Sequence, residues 1–210
     1  MGVVDKYYLM VNNELIYIDF EGRKDKQPTL VGFKYKNTFQ QLTFNSSFSS
    51  EKIPERNRLE CRNLKEFLRE MISRDGRIVH FTQHEIKLFE SNLEIKMEPE
   101  RFLDAHKLVK NFIKKDKERD KKYKELTEWK KHTRRNKTRW TLKTMLKFSN
   151  YSIKEPYGKG KVTKWIGAVE SGVKSPGDLT PVQKGNLTNL LRHNKTDVEG
   201  MEHLINWMND

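Results

Sequence analysis

The sequence lacks the features of a secreted or membrane-spanning protein. Its 210 residues include a single cysteine, Cys61, so the chain forms no internal disulfide and fits a reducing compartment. No apolar run is long enough to cross a membrane, and residues 1–13 lack the apolar centre of a signal peptide. These absences predict a soluble protein of the cytoplasm.

The chain is also poor in apolar residues and in acidic ones. Apolar residues make up 35% of it, which predicts that part of the chain lies outside the core. Lys and Arg number 42 against 29 Asp and Glu, a net charge of +13. An excess of this size indicates a polyanionic partner, nucleic acid first and an anionic membrane surface second. We expect nucleic acid, and no membrane association.

The spacing of apolar residues predicts an α/β fold. Short β-rich runs predict three strands over residues 15–20, 29–35 and 39–44, the last two forming a hairpin. The further predicted elements are a helix over 64–72, a strand over 77–81, a helix over 83–92, a strand over 101–104, and helices over 105–113, 140–148, 165–173 and 180–207. This order favours one domain over residues 1–210, with a mixed central sheet covered by helices.

Residues 114–137 differ from the rest, because Lys and Arg dominate them and turn signals are absent. We interpret this segment as a basic helical insertion, either a long solvated helix or a mobile arm. A solvated face and a contact with a phosphate backbone explain such a run equally well. The predicted nucleic-acid-binding cations lie in and after this segment and in a later Gly-x-Gly loop: Lys130, Lys131, Arg134, Arg135, Lys137, Arg139, Lys159 and Lys161.

The first predicted strand ends in two carboxylates, Asp19 and Glu21. Side chains two apart on a strand project on the same side, about 6.5 Å from each other. Two like charges at the edge of a core are unfavourable unless a cation or several hydrogen-bond donors compensate them. The alternative is a strand that runs into solvent with both acids hydrated.

Two further acidic positions accompany a histidine. Glu85 lies in the first turn of a predicted helix, where the helix dipole favours a negative charge. His193 and Asp197 are four residues apart and so share one face of the last helix. Taken singly, these are an ordinary acid at a helix start and an ordinary pair on a helix surface.

The order of these groups resembles that of the DEDD exonucleases of the RNase H-like superfamily, which include the proofreading subunits of DNA polymerases. Asp19-Phe20-Glu21 is similar to the first motif of bacterial predicted nucleases in that superfamily. Residues 139–146 look like the Ser-Leu-Lys segment before the last motif, and residues 102–108 resemble the strand between the second and third motifs. The resemblance spans residues 15–207 except the basic segment.

The resemblance implies an RNase H-like sheet, with three antiparallel strands followed by parallel ones, and a 3′–5′ exonuclease that acts on single-stranded ends. It implies two Mg²⁺ or Mn²⁺ ions, since hard oxygen ligands suit these cations. Asp19 would bind both ions, Glu21 the ion nearer the attacking water, and Glu85 and Asp197 would complete the ligand set. His193 would be the catalytic base or would position the water, and Glu21 would help to orient it.

Two positions depart from the pattern of these exonucleases. The second motif carries Glu85 where Asp is usual, which moves the carboxylate by one methylene. The third motif combines the spacing of the Tyr-type subgroup with the His of the other, so His193 is either the base or a replacement that weakens activity. Asp104 is the reserve ligand if Glu85 does not serve. The alternatives are a catalytically weak or inactive RNase H-like nucleic-acid-binding module and an interaction protein whose basic segment docks an acidic protein partner.

Overall fold

The computed structural model of the protein describes residues 15–23, 26–49, 59–128, 140–153, 161–172 and 179–210. Of the cations predicted to contact nucleic acid, Lys161 lies within these ranges, and it is exposed. The others fall outside the described residues: Lys130, Lys131, Arg134, Arg135, Lys137, Arg139 and Lys159. Their role therefore stays a prediction.

One mixed sheet forms the centre of the fold. Its strands, in chain order, are β1 (Leu15–Glu21), β2 (Leu30–Tyr35), β3 (Thr38–Thr43), β4 (Glu60–Cys61), β5 (Arg77–His80) and β6 (Phe102–Asp104). They are arranged in the order β4-β3-β2-β1-β5-β6. β1, β2 and β3 are antiparallel neighbours, whereas β5 runs parallel to β1 and β6 parallel to β5. The prediction of a mixed α/β fold is confirmed at this level.

Seven helices of the described residues accompany the sheet. They are α1 (Leu64–Ser73), α2 (Gln83–Leu93), α3 (Ala105–Lys115), α4 (Lys117–Thr127), α5 (Leu142–Phe148), α6 (Val162–Gly172) and α7 (Pro181–Trp207). Not one helix in this part of the chain is long and apolar enough to cross a membrane.

The alternation of side chains along β1 divides the core into two layers. Leu15 and Tyr17 belong to a cluster with residues of α3, α5 and α7, and Ile16, Ile18 and Phe20 belong to a cluster with residues of α1 and α2. This is the strand period of two, with both faces of the sheet covered. The odd positions face α7, so that helix covers the two acids that follow Tyr17.

The longest helix, α7, begins as its sequence predicts. The Thr180 side chain caps it, Gln183 completes a capping box, and Pro181 occupies the first turn. The helix then packs on β1, β2, α3, α5 and α6. It therefore presents one face along its length to the centre of the sheet.

The basic segment is neither one continuous helix nor wholly solvated. α3 ends at Lys115, and the Asp116 side chain accepts a hydrogen bond from the Arg119 backbone N–H to start α4. Tyr123 is fully buried and stacks on Trp140, with 4.3 Å between the ring centroids. Asp116 is thus the turn signal that the sequence interpretation missed, and Tyr123 anchors α4 to the core.

Regular structure also occurs between residues 45 and 63, where the sequence pattern predicts no strand or helix. Residues Ser46–Phe48 form a single 3₁₀ turn that fully buries Phe48, and β4 adds two residues to the edge of the sheet beside β3. Neither element is long enough to show a periodic pattern, which is why periodicity could not indicate them.

Candidate metal centre

Glu21, His193 and Asp197 converge at the end of β1. The His193 Nε2 atom lies 3.5 Å from Glu21 Oε1 and 3.6 Å from Asp197 Oδ2. One ligand atom from each residue lies within 4.8 Å of the other two. All three side chains are largely buried, with 11 to 13% of their surface exposed. Such a group of donors is compact enough to hold one cation.

The fold brings these residues together from two distant parts of the chain. Glu21 is the last residue of β1, at the carboxyl end of the parallel strands, where open α/β sheets commonly bind ligands. His193 and Asp197 lie one helical turn apart in α7, on the face that packs against β1. The predicted common face of His193 and Asp197 is therefore present.

Glu85 reaches the same region from the start of α2, and it also caps that helix. Its Oε2 atom accepts hydrogen bonds from the Thr82 backbone N–H at 3.2 Å and from the Thr82 hydroxyl at 2.6 Å. Its charge raises the pKa of both Asp19 and Glu21. Glu85 therefore fills its helix-start role and faces the acids of β1, with one carboxylate oxygen committed to the cap.

Asn194 is the residue of this site that the sequence did not reveal. Its side chain is fully buried, and its amide N–H group donates to Asp19 Oδ2 at 2.9 Å and to the Asp19 backbone carbonyl at 3.0 Å. Its amide oxygen accepts from Gln41 Nε2 at 2.9 Å, and Gln41 also donates to the Leu191 carbonyl. These bonds fix the Asp19 carboxylate between the sheet and α7.

A glycine in the sheet makes room for this amide. Gly32 pairs with Asp19 on β1 and with Gln41 on β3, so the three residues form a row across the sheet. A Cβ atom at Gly32 would overlap the Asn194 side chain. A glycine in the interior of a strand marks a close approach of another group, and it was the signal from which the contact could have been inferred.

Burial and mutual repulsion dominate the electrostatics of the two β1 acids. Desolvation raises the pKa of Asp19 well above its usual value, the charges of Glu21, Asp197 and Glu85 raise it further, and the Asn194 hydrogen bond opposes the rise. Desolvation and then Asp197 likewise raise the pKa of Glu21, while a hydrogen bond with Asp19 lowers it. Protons or a cation would relieve this repulsion.

Glu21 also has an oxygen that a cation could use. Its Oε1 atom is buried and has no hydrogen-bond partner among the described residues. A buried carboxylate oxygen without a donor is unfavourable. Together with the carboxylates of Asp19 and Asp197, this oxygen gives a hard donor set of the kind that fits Mg²⁺ or Mn²⁺.

His193 is held as a neutral imidazole at neutral pH. Burial, and then the charge of Lys143, lowers the pKa of His193 to about 4. The ring meets Trp165 of α6 edge-on, with 6.1 Å between the centroids. His193 can therefore accept a proton or act as a ligand at pH 7, although it is a weaker base than an unperturbed histidine.

The reserve ligand Asp104 has another role. It ends β6, and its side chain caps α3 by accepting a hydrogen bond from the Lys107 backbone N–H at 2.8 Å. The same side chain accepts a hydrogen bond from Gln83 Nε2 of α2 at 3.2 Å. Because β5 separates β6 from β1, Asp104 lies one strand further from Asp19. Of the two candidates Glu85 and Asp104, Glu85 is the one whose charge raises the pKa of Asp19 and Glu21.

Comparison of the chain with protein-family models, with curated proteins and with solved structures found no match.

Proposed function

We propose that this protein is a Mg²⁺- or Mn²⁺-dependent nuclease with an RNase H-like fold that hydrolyses phosphodiester bonds as a 3′–5′ exonuclease on single-stranded ends. The observation that carries the proposal is the convergence of Glu21, His193 and Asp197 within 4.8 Å, beside Asp19. The strand arrangement supports it, since an antiparallel β1-β2-β3 sheet continued by parallel strands is what the resemblance implies. Direction and end preference come from the resemblance alone.

Asp19, Glu21 and Asp197 would hold the ions, with the Glu85 carboxylate beside them. When bound, two such ions stabilise the entering and leaving oxygens of an in-line displacement at phosphorus. The surroundings of the other residues indicate what each would contribute to the reaction. Asn194 fixes the Asp19 carboxylate, and the neutral His193 ring can accept a proton from the attacking water or orient that water.

The charge of the chain supports a nucleic-acid substrate. The chain has a net charge of +13 although its centre is built from acids, so the phosphate backbone would be attracted to the protein as a whole and not to the metal-free carboxylates. A single-stranded end fits such a centre because the reacting phosphate has to reach partly buried side chains. Lys143 is the cation whose charge acts on His193, next to where the phosphate would react.

The test is digestion of a labelled single-stranded oligonucleotide with MnCl₂, with MgCl₂ and with EDTA. We expect a ladder of shortened products with either metal and none with EDTA. Asp197→Asn should lower the rate by about a hundredfold or more, since metal-held charge stabilisation is worth several kcal/mol. Glu199→Gln is the matched control, because Glu199 lies on the same helix and pairs with Lys195 at 3.5 Å.

An inactive nucleic-acid-binding module is the second candidate, and the engagement of Glu85 Oε2 in the helix cap favours it. It predicts no cleavage with any of the metals, together with oligonucleotide binding that weakens as salt rises. Absence of both cleavage and binding at low salt would instead leave a basic interaction protein. Digestion and a filter-binding measurement on the same preparation separate the three.

A further inference from the structure

A polar pocket of about 530 Å³ opens beside the end of β1. One wall is the turn after β1, a second is the end of β3, and α6 supplies a single acid to the third. The lining residues that carry a charge, a side-chain amide or an aromatic ring are Arg23, Lys26, Gln27, Phe44, Asn45 and Glu170. Residues with two positive charges, one negative charge, two side-chain amides and an aromatic ring thus line one cavity.

The charged groups of the pocket are partly arranged already. Arg23 pairs with Glu170 at 2.5 Å, and Asn45 Nδ2 donates to the other Glu170 oxygen at 3.2 Å. Arg23 Nε is buried and has no hydrogen-bond partner among the described residues. Gly167 leaves room for this arginine, since a Cβ atom there would lie 2.8 Å from Arg23 Nη2.

Among the described residues that line the pocket, the positive charge exceeds the negative charge. Glu170 balances Arg23, whereas Lys26 makes no ion pair with the described residues and is exposed. An anionic group that entered would find the Lys26 ammonium and the exposed part of the Arg23 side chain as positive charges. Charged donors of this kind recognise phosphate.

The pocket and the carboxylate centre lie next to each other along the chain and contact the same helix, α6. Arg23 follows Glu21 by two residues, which is at most about 7 Å of extended chain. α6 connects the two sites as well, because it holds Trp165 against His193 and Glu170 in the pocket. A strand with its phosphodiester at the centre would therefore have its neighbouring unit within reach of the pocket.

We propose that this pocket binds one nucleotide of the substrate strand next to the reacting phosphodiester, with its phosphate at Arg23 and Lys26 and its base against Phe44 and the amides of Gln27 and Asn45. The volume suits a ligand of nucleotide size. Phe44 offers apolar surface for a base, and the amides can bond to its edge. This inference rests on the proposed function, because it names the substrate unit that the nuclease holds.

The test is a calorimetric titration of the full chain with AMP in the presence of EDTA, at low salt. EDTA keeps the carboxylate centre free of metal, so the titration reports on the pocket. Adenosine and inorganic phosphate are titrated separately. We expect AMP to bind more tightly than either, since only AMP uses both the cations and the base-binding side chains.

Two pocket variants and one control locate the binding. Lys26→Glu and Asn45→Ala should each weaken AMP binding, the first by about tenfold, as for a lost charged hydrogen bond. Lys36→Glu makes the same charge change in the β2-β3 turn, at the opposite end of these strands, and should change it less than about twofold.

The proposal is overturned if AMP does not bind in EDTA, or if Lys26→Glu and Asn45→Ala bind it as the unchanged chain does. Equal affinity for AMP and inorganic phosphate also overturns it, because the pocket would then take a bare anion. These outcomes are separate from the fate of the nuclease. AMP binding without metal-dependent cleavage keeps the pocket and rejects the nuclease, and cleavage without AMP binding does the reverse.

Discussion

Asn194 connects the sheet to α7 through a single amide group. Its N–H group donates to Asp19 and its oxygen accepts from Gln41, so Asn194→Ala removes the amide donor of the Asp19 carboxylate and one of the two acceptors of the half-buried Gln41 amide. We expect the free energy of unfolding to fall by about 1–3 kcal/mol. Mn²⁺ affinity should fall by about 10- to 100-fold, as when a group that orients a metal ligand is removed. Denaturant unfolding and calorimetric titration with Mn²⁺ measure the two.

Asn206→Ala is the control, because Asn206 lies in the same helix about 18 Å further along its axis. It should change neither quantity noticeably. If Asn194→Ala lowers stability but leaves the Mn²⁺ affinity of the folded protein unchanged, Asn194 supports only the packing of α7.

Gly32 and Gly185 allow a prediction in which the same substitution has opposite effects. At Gly32 a methyl group would overlap the buried Asn194 side chain, so Gly32→Ala should lower the free energy of unfolding by about 1–3 kcal/mol. At Gly185, inside α7, a Cβ atom would meet nothing within 4 Å, so Gly185→Ala should raise it by up to about 1 kcal/mol. Denaturant unfolding of both variants checks the pair, and a Gly32→Ala protein as stable as the unchanged chain contradicts the close packing of Asn194 on β2.

Single residues show which contacts of the centre the sequence could predict and which it could not. Asp19 with Glu21 and His193 with Asp197 are recognisable because strand and helix periods are local properties of the chain. The hydrogen bonds of Asn194 form only where α7 packs on β1, β2 and β3, and no local periodicity of the sequence predicts that packing. The chain marks it only through the glycine in the middle of β2.

At the scale of elements, α2 starts with a side chain that has two roles, and substitution can separate them. Glu85→Gln keeps a side chain that completes a capping box but removes the charge facing Asp19. It should leave the free energy of unfolding of the metal-free protein equal or higher, and it should lower Mn²⁺ affinity. Thr82→Ala removes the cap hydroxyl and keeps the charge, so it should lower the unfolding free energy by about 1 kcal/mol and keep Mn²⁺ binding.

Melting temperature and Mn²⁺ titration of the two variants give the answer. If Glu85→Gln binds Mn²⁺ as tightly as the unchanged chain, Glu85 serves only to cap α2. Glu85 is then not a metal ligand, and the resemblance to the second exonuclease motif has no functional meaning. If Thr82→Ala also loses Mn²⁺ affinity, the cap is what aims the carboxylate, and the two roles are inseparable.

Elements with a long amphipathic pattern are predictable from the sequence, and those defined by one residue are not. α7 is expected over residues 180–207 and runs over Pro181–Trp207, because several turns of apolar spacing and a capping pattern all indicate it. The break between α3 and α4 depends on Asp116 alone, and β4 depends on pairing with β3. A cap or an edge pair is visible only once the neighbours are known, so the sequence pattern misses both.

At the scale of the whole molecule, the acidic centre contrasts with the basic composition of the chain. The centre collects four carboxylates in a chain whose net charge is +13. Burial is the largest cause of the raised pKa of Asp19 and of Glu21, and repulsion from the neighbouring carboxylates raises both pKa values further. The excess of basic residues in the chain does not cancel these local effects. Charge composition could predict a polyanionic partner but not this local imbalance, which exists only after folding.

That imbalance sets the sign of a pH effect on stability. A carboxyl group whose pKa is higher in the folded than in the unfolded chain contributes stability that is complete below the unfolded value, about 4, and is lost as pH rises through the folded value. Asp19 and Glu21 therefore destabilise the metal-free protein at neutral pH relative to pH 4. His193 acts oppositely between its folded value of about 4 and its unfolded value of about 6.5.

Comparing the unchanged chain with Asp19→Asn in EDTA isolates the carboxylate contribution, since His193 is present in both. Asparagine can still accept the Asn194 hydrogen bond, and it carries no charge. We expect the variant to have the higher melting temperature at pH 7 and the difference to shrink towards pH 4, by about 1.4 kcal/mol for each unit by which folding raises the pKa. Mn²⁺ should reverse the order at pH 7, because a bound cation stabilises the charged carboxylate that the variant lacks. A variant that is less stable in EDTA at pH 7 would mean that the negative charge of Asp19 is already compensated by the protein, which would remove the physical reason for a cation at this centre.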